Sequence, residues 1–134
     1  MDEDAARLVI ALRDIVLRLL RAAATGAASS TDDRAALNDV VLRHPAVRLL
    51  TDTPGQAAIR PLVPDDDGAG AVLAVLAAAT VELLSGPDLA GIALCDAPGC
   101  GQLYHRTRPN QQWCTPHCGA RARSERHHER SATG

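Results

Sequence analysis

The 134-residue chain has no phenylalanine, no lysine, a single tryptophan, a single tyrosine, and no cysteine before position 95. Each lack excludes something. With no aromatic residue before Tyr104, the main core has to be built from leucine, isoleucine, valine and alanine. Only Tyr104 and Trp113 are able to stack on bases, which disfavours single-strand or RNA binding by stacking. The longest uncharged run, residues 68–81, has fourteen residues, short of the about 20 that a membrane-spanning helix needs. No apolar leader precedes the acidic start MDED, so a cytoplasmic protein without membrane association is expected. The apolar share of 46% argues against general disorder. The formal net charge of -2 is divided unevenly: residues 1–94 hold eight arginines against thirteen acids, residues 95–134 six against three.

What is present is concentrated in residues 94–123, LCDAPGCGQLYHRTRPNQQWCTPHCGARAR, which hold all four cysteines. Cys95 and Cys100 are separated by four residues, Cys114 and Cys118 by three, and thirteen residues lie between the pairs. Two short chelating segments approaching from different directions are what tetrahedral zinc requires. Pro98 and Gly99 bend the first pair into a knuckle. Thr115 suits an N-cap with Pro116 at the first helical position, which puts Cys118 in the opening turn of a helix. The positive end of that helix offsets part of the negative charge of a tetrathiolate. From residue 91 onward the large apolar residues are only Ile92, Leu94, Leu103, Tyr104 and Trp113. That is too few to order the segment unaided, whereas a structural zinc contributes about 10–16 kcal/mol. The expected cofactor is one structural zinc per chain on Cys95, Cys100, Cys114 and Cys118, with His105 or His117 as substitutes for one cysteine left open. Two disulfides would suit a small secreted domain, and redox chemistry would suit a two-residue gap beside a βαβ pattern; neither context is present.

At these residues the sequence resembles a known family. Cys95, Pro98, Cys100 and Gly101, then Trp113-Cys114, then Cys118-Gly119-Ala120-Arg121, are similar to the CGNR zinc finger. That module ends bacterial proteins whose upstream part is the ABATE domain, grouped as candidate stress-induced transcription regulators. The resemblance is close over roughly the last 35 residues and is one of layout upstream. Ala120 stands where the name-giving asparagine is usual, and the loop from Arg106 to Gln112 has fewer arginines than is usual. The resemblance also implies additional chain ahead of the region that begins here at Met1.

Upstream, residues 4–24 have Leu8, Leu12, Ile15, Val16 and Leu19 at helical spacing, with Arg7, Asp14, Arg18 and Arg21 opposite and Asp14 four residues from Arg18. Ser30, Thr31, Asp32 and Asp33 supply a capping box for a second helix to about Arg43, with Leu37, Val40 and Val41 as its buried stripe. Residues 46–52 and 56–63 flank Thr53-Pro54-Gly55 and read as a two-stranded hairpin. Asp65, Asp66, Asp67 and Gly68 form a polar turn able to cap a helix over 69–84, which stops at Ser85-Gly86-Pro87. Glu82 is the only charge of that helix, and Ala71, Ala74, Ala78 and Ala79 permit close approach. A homodimer through this region is therefore expected.

The fold expected is α+β. Residues 1–90 form a mainly helical domain with a short hairpin, for dimerisation or sensing. Residues 91–130 form a treble-clef-like zinc finger of knuckle hairpin plus helix, and 131–134 a disordered tail. On the last helix Arg123, Arg126, His127 and Arg130 fall within roughly a 100° arc, with Arg121, Glu125 and Glu129 on the other side. Arg123, Arg126 and Arg130, flanked by Arg106 and Arg108, suit the phosphates of double-stranded DNA. The chain thus reads as a DNA-binding transcription regulator and not an enzyme, since no nucleophile, base and orienter set is visible. The alternative is a zinc-stapled interaction module whose arginines meet an acidic protein. A small-molecule effector in the aliphatic upstream part fits either reading.

Overall fold

A computed structural model describes residues 2–63 and 68–133. Three helices form the upstream body: α1 (Glu3–Thr25), α2 (Thr31–Arg43) and α3 (Ala69–Ser85). Asp2 starts α1 by accepting a hydrogen bond from the Ala5 amide at 2.8 Å. Gly26, at φ 72°, closes the helix by turning its N–H back to the carbonyls of Ala22 and Ala23. Leu12 and Leu19, two turns apart, meet Leu37 of α2 and Leu73 and Ala77 of α3 in an aliphatic core, with Val9, Ile15, Val16, Val40 and Val41 around it. Leu8 shares the apolar arc of α1 but is 56% exposed, whereas Ala5 and Leu12 on either side of it are buried.

Ser30 caps α2 as expected, accepting from the Asp33 amide at 3.2 Å. The expected pairing of Asp14 with Arg18 does not form. Asp14 instead receives Arg13, and Arg18 reaches α2, donating Nε and Nη2 to the Asp33 carboxylate at 2.9–3.2 Å. The side-by-side fork geometry of guanidinium and carboxylate favours this pairing over a neighbour on the same helix. The Arg18 guanidinium holds the Asp33 carboxyl below its ordinary range.

The hairpin is shorter than the alternation implies: β1 (Ala46–Leu50) pairs antiparallel with β2 (Ala57–Pro61), Arg48 facing Ile59. Its tip closes through Thr51 N–H to the Gln56 carbonyl at 3.3 Å. The hairpin lies on α3, where Arg48 Nε meets Glu82 at 2.9 Å. The acidic turn at Asp65, Asp66 and Asp67 lies outside the described residues. α3 is the central helix, packed by α1, α2 and the hairpin. Ala74 is consequently buried within the chain itself, while Val72, Leu76, Ala79 and Val81 remain exposed.

After α3 a 3-10 turn (Pro87–Gly91) leads into β3 (Ile92–Leu94), which pairs antiparallel with β4 (Leu103–His105) and lies against α1. Helix α4 (Pro116–Thr133) completes the chain and continues through positions 131–133, where a disordered tail is the expectation from sequence. No helix among the described residues is long and apolar enough to cross a membrane.

Candidate metal centre and arginine surface

The first cysteine pair sits on the turn between β3 and β4. The Cys95 amide donates to the Gln102 carbonyl at 2.8 Å and the Cys100 amide to the Ala97 carbonyl at 3.1 Å. Gly99 and Gly101 take φ 74° and 63° there, a region closed to most side chains, which makes a knuckle this tight possible. The second pair straddles the start of α4. Thr115 caps the helix, its Oγ1 accepting from the Cys118 amide at 3.2 Å and its carbonyl from Gly119 at 3.2 Å. The two pairs are stitched together by Cys114 N–H on Cys95 Sγ at 3.3 Å and Asp96 N–H on the Gln112 carbonyl at 3.0 Å.

The four sulfurs converge within 4.8 Å of one another. Cys100 to Cys114 is 3.8 Å, Cys114 to Cys118 is 3.7 Å and Cys118 to Cys100 is 3.7 Å. Thiolates about 2.3 Å from a tetrahedral zinc define edges of about 3.8 Å, so the donor set fits that ion. These separations are far beyond a disulfide of about 2.05 Å, and all four cysteines are free. Neither histidine joins the cluster: His117 is exposed and His105 lies against Gly91. The site binds one structural zinc through Cys95, Cys100, Cys114 and Cys118.

Four thiols this close ionise unequally without a cation. Burial pushes the Cys95 thiol up, but amide donors from Cys114 and Ala97 and thiols of Cys100 and Cys114 reverse the effect and bring it to about 7. Burial and the adjoining Cys118, Cys95 and Cys100 push Cys114 up to about 12. A divalent ion removes the conflict by binding all four as thiolates. Arg121 adds charge compensation, its Nη2 lying 3.8 Å from Cys118 Sγ, and so turns away from the Glu125 partner that helical spacing suggests. The module's small core is the site itself: Cys95, Ala97, Cys118 and Ala122, ringed by Cys100, Tyr104, Trp113 and Cys114.

Trp113 joins the site to the arginine surface. Its ring lies on α4 at Gly119, where a Cβ would come 2.8 Å from Cε3, and Arg123 stacks over the ring at 5.3 Å. Gln111 holds the preceding loop. Its carbonyl accepts from Tyr104 Oη at 2.8 Å and Arg106 Nε at 3.2 Å, its Oε1 accepts from the Thr107 amide at 2.9 Å, and its Nε2 donates to the Trp113 carbonyl at 2.9 Å. Sequence reasoning missed Gln111 and Arg121, because neither contact follows from spacing. The close approach at Gly119 had a readable signal, a glycine directly after a ligand cysteine inside a helix.

The five arginines proposed from sequence are not all brought together. Arg108 and Arg123 border one cleft of about 490 Å³ with Gln112, Trp113 and Pro116. Arg123, Arg126, His127 and Arg130 line a shallow groove of about 260 Å³ along α4. Arg123 is common to both, so Arg108, Arg123, Arg126 and Arg130 make one continuous surface. Arg106 borders neither. Beyond Ala122 every described residue of α4 is exposed.

Fold and site together define a class, a helical body carrying a tetrathiolate zinc finger. A model of the CGNR zinc finger matches residues 92–131. The ABATE family model, described as "Putative stress-induced transcription regulator", matches residues 1–87. The chain belongs to the ABATE family, with a CGNR-type zinc finger at its C-terminal end. No curated protein matches it.

Proposed function

We propose that the protein binds double-stranded DNA through the C-terminal module and acts as a transcription regulator. The observation that carries this reading is where the ion pairs fall. Among the described residues, every arginine paired with a carboxylate lies in the upstream body: Arg7, Arg13, Arg18, Arg43 and Arg48. Arg108, Arg126 and Arg130 have no such partner, and Arg123 faces a tryptophan. A helix polar on all sides, with its outer turns free and its cations uncompensated, suits a polyanion. The zinc ties the start of the helix to the knuckle, and four thiolates leave the ion no open position for chemistry, which supports binding over catalysis. Two copies would associate through the exposed side of α3 at Val72, Leu76 and Ala79, giving a dimer in sedimentation.

The test is fluorescence anisotropy on random duplex DNA across a salt series. Four phosphate contacts per chain give a log-log slope of about −3.6. Arg126→Ala should reduce affinity for all sequences alike and flatten the slope by about one unit, while Arg106→Ala should leave the slope unchanged. Absence of salt-sensitive binding to duplex DNA would overturn the reading and assign the arginine surface to an acidic protein partner.

A further inference from the structure

A further cavity lies in the upstream body, away from the zinc and the arginine surface. It is a cleft of about 340 Å³ between α1, α2 and the end of α3, at the small end of ligand pockets. Its floor is aliphatic, formed by Leu19, Leu37, Val81, Leu84 and Leu89 among others, and its polar border comes from Ser29, Arg34, Asn38 and Ser85. Leu37, Arg34 and Asn38 stand on one side of α2 at three- and four-residue spacing, so one helix supplies both the apolar wall and the polar rim.

We infer that this cleft binds a small aliphatic carboxylate, its chain on the leucine floor and its head group on Arg34. Two observations on Arg34 carry the charge assignment. No carboxylate among the described residues pairs with it, unlike most arginines of this body. Its guanidinium is held in place by neutral acceptors, with Nη1 donating to the Ser29 carbonyl at 2.6 Å and to Ser29 Oγ at 2.7 Å, and Nη2 donating to Thr31 Oγ1 at 3.2 Å. These bonds fix its position while leaving its charge uncompensated beside an apolar cavity. Asn38, one turn further along α2, makes no side-chain hydrogen bond within the described residues and supplies an amide donor on the same rim. An alcohol would fill the floor and forgo the ion pair; an alkylammonium would place like charge against Arg34.

The site also has a position that matters. Leu89 belongs to the 3-10 turn that runs directly into β3, so an occupant touches the segment joining the body to the zinc module. The inference does not depend on DNA binding and is tested on the zinc-loaded full chain by calorimetry and amide chemical shifts, with octanoate, octanol and octylamine as probes. Octanoate should saturate one site per chain and shift Leu37, Leu84 and Leu89. Octanol should bind there about tenfold more weakly, the typical value of a charge-assisted hydrogen bond, and octylamine more weakly still. Asn38→Asp, which sets a carboxylate beside Arg34 without removing Arg34's own bonds, should abolish the preference for octanoate over octanol. Leu89→Trp should exclude all three probes. Equal binding of octanoate and octanol, shifts confined to other residues, or no saturable binding would each overturn the assignment.

Discussion

Gly119→Ala sets two effects of opposite sign against each other at one atom. Gly119 lies inside α4, where alanine is intrinsically favoured over glycine by about 1 kcal/mol, so propensity alone predicts a more stable module. The geometry predicts the reverse. A Cβ at this position would lie 2.8 Å from Trp113 Cε3 and 3.3 Å from Arg123 Nη1. Trp113 has little room to withdraw, since it packs against the cysteine cluster and its Nε1 is enclosed without a hydrogen-bond partner. Displacing a ring in a packed core costs typically 1–3 kcal/mol, so the net expectation is a loss of about 1 kcal/mol. Because the module folds around its metal, that loss appears as an apparent zinc affinity lower by about fivefold in a chelator competition. Trp113 is the only tryptophan, so its emission reports the displacement without interference. An alanine variant that holds zinc as tightly as the parent, with unchanged emission, would refute the claim that the ring rests on the helix at this glycine.

Zinc analysis should give one ion per chain, and Cys118→Ser or excess chelator should remove amide protection from Ile92 onward while α1, α2 and α3 keep theirs. The separation is expected because the cores around Leu12 and around Cys95 have no residue in common. The Arg18 and Asp33 pair predicts a pH effect of definite sign. Arg18 lowers the Asp33 carboxyl below its ordinary 3.8, so the stabilisation is present above that value and disappears as pH falls through the folded-state midpoint. A carbon-detected titration of Asp33 should show the depressed midpoint, and Arg18→Gln should return it to the ordinary range.

The zinc site was readable because spacing constrains it directly. Two pairs of cysteines, a turn at Pro98-Gly99 and a helix cap at Thr115 leave little freedom in how four sulfurs meet. The α2 cap at Ser30 and its buried Leu37 were readable for a related reason, since both depend on residues a few positions apart. What failed to show were contacts set by tertiary placement. Asp14 looked like the partner of Arg18 because it lies on the same helix, yet α2 brings Asp33 into a better geometry. Leu8 belongs to the apolar arc by angle yet stays exposed between the buried Ala5 and Leu12. Gln111 organises the loop through its backbone carbonyl, which every residue has, and its side-chain amide, so nothing in the sequence singles it out. Arg106 and Arg108 are two residues apart, yet only Arg108 borders the surface shared with α4.

The contact of β3 and β4 with α1 makes α4 a lever. Only its first turns are rooted, at Cys118, Gly119 and Ala122. Its 18 residues extend about 27 Å at 1.5 Å per residue. A rotation of about 10° where β3 meets α1 would carry the far end through about 5 Å, more than the 3.4 Å rise of a base pair. A rotation of that size would thus move Arg130, about 21 Å along the helix, by about one base step and Arg123, about 10 Å along it, by about half as much.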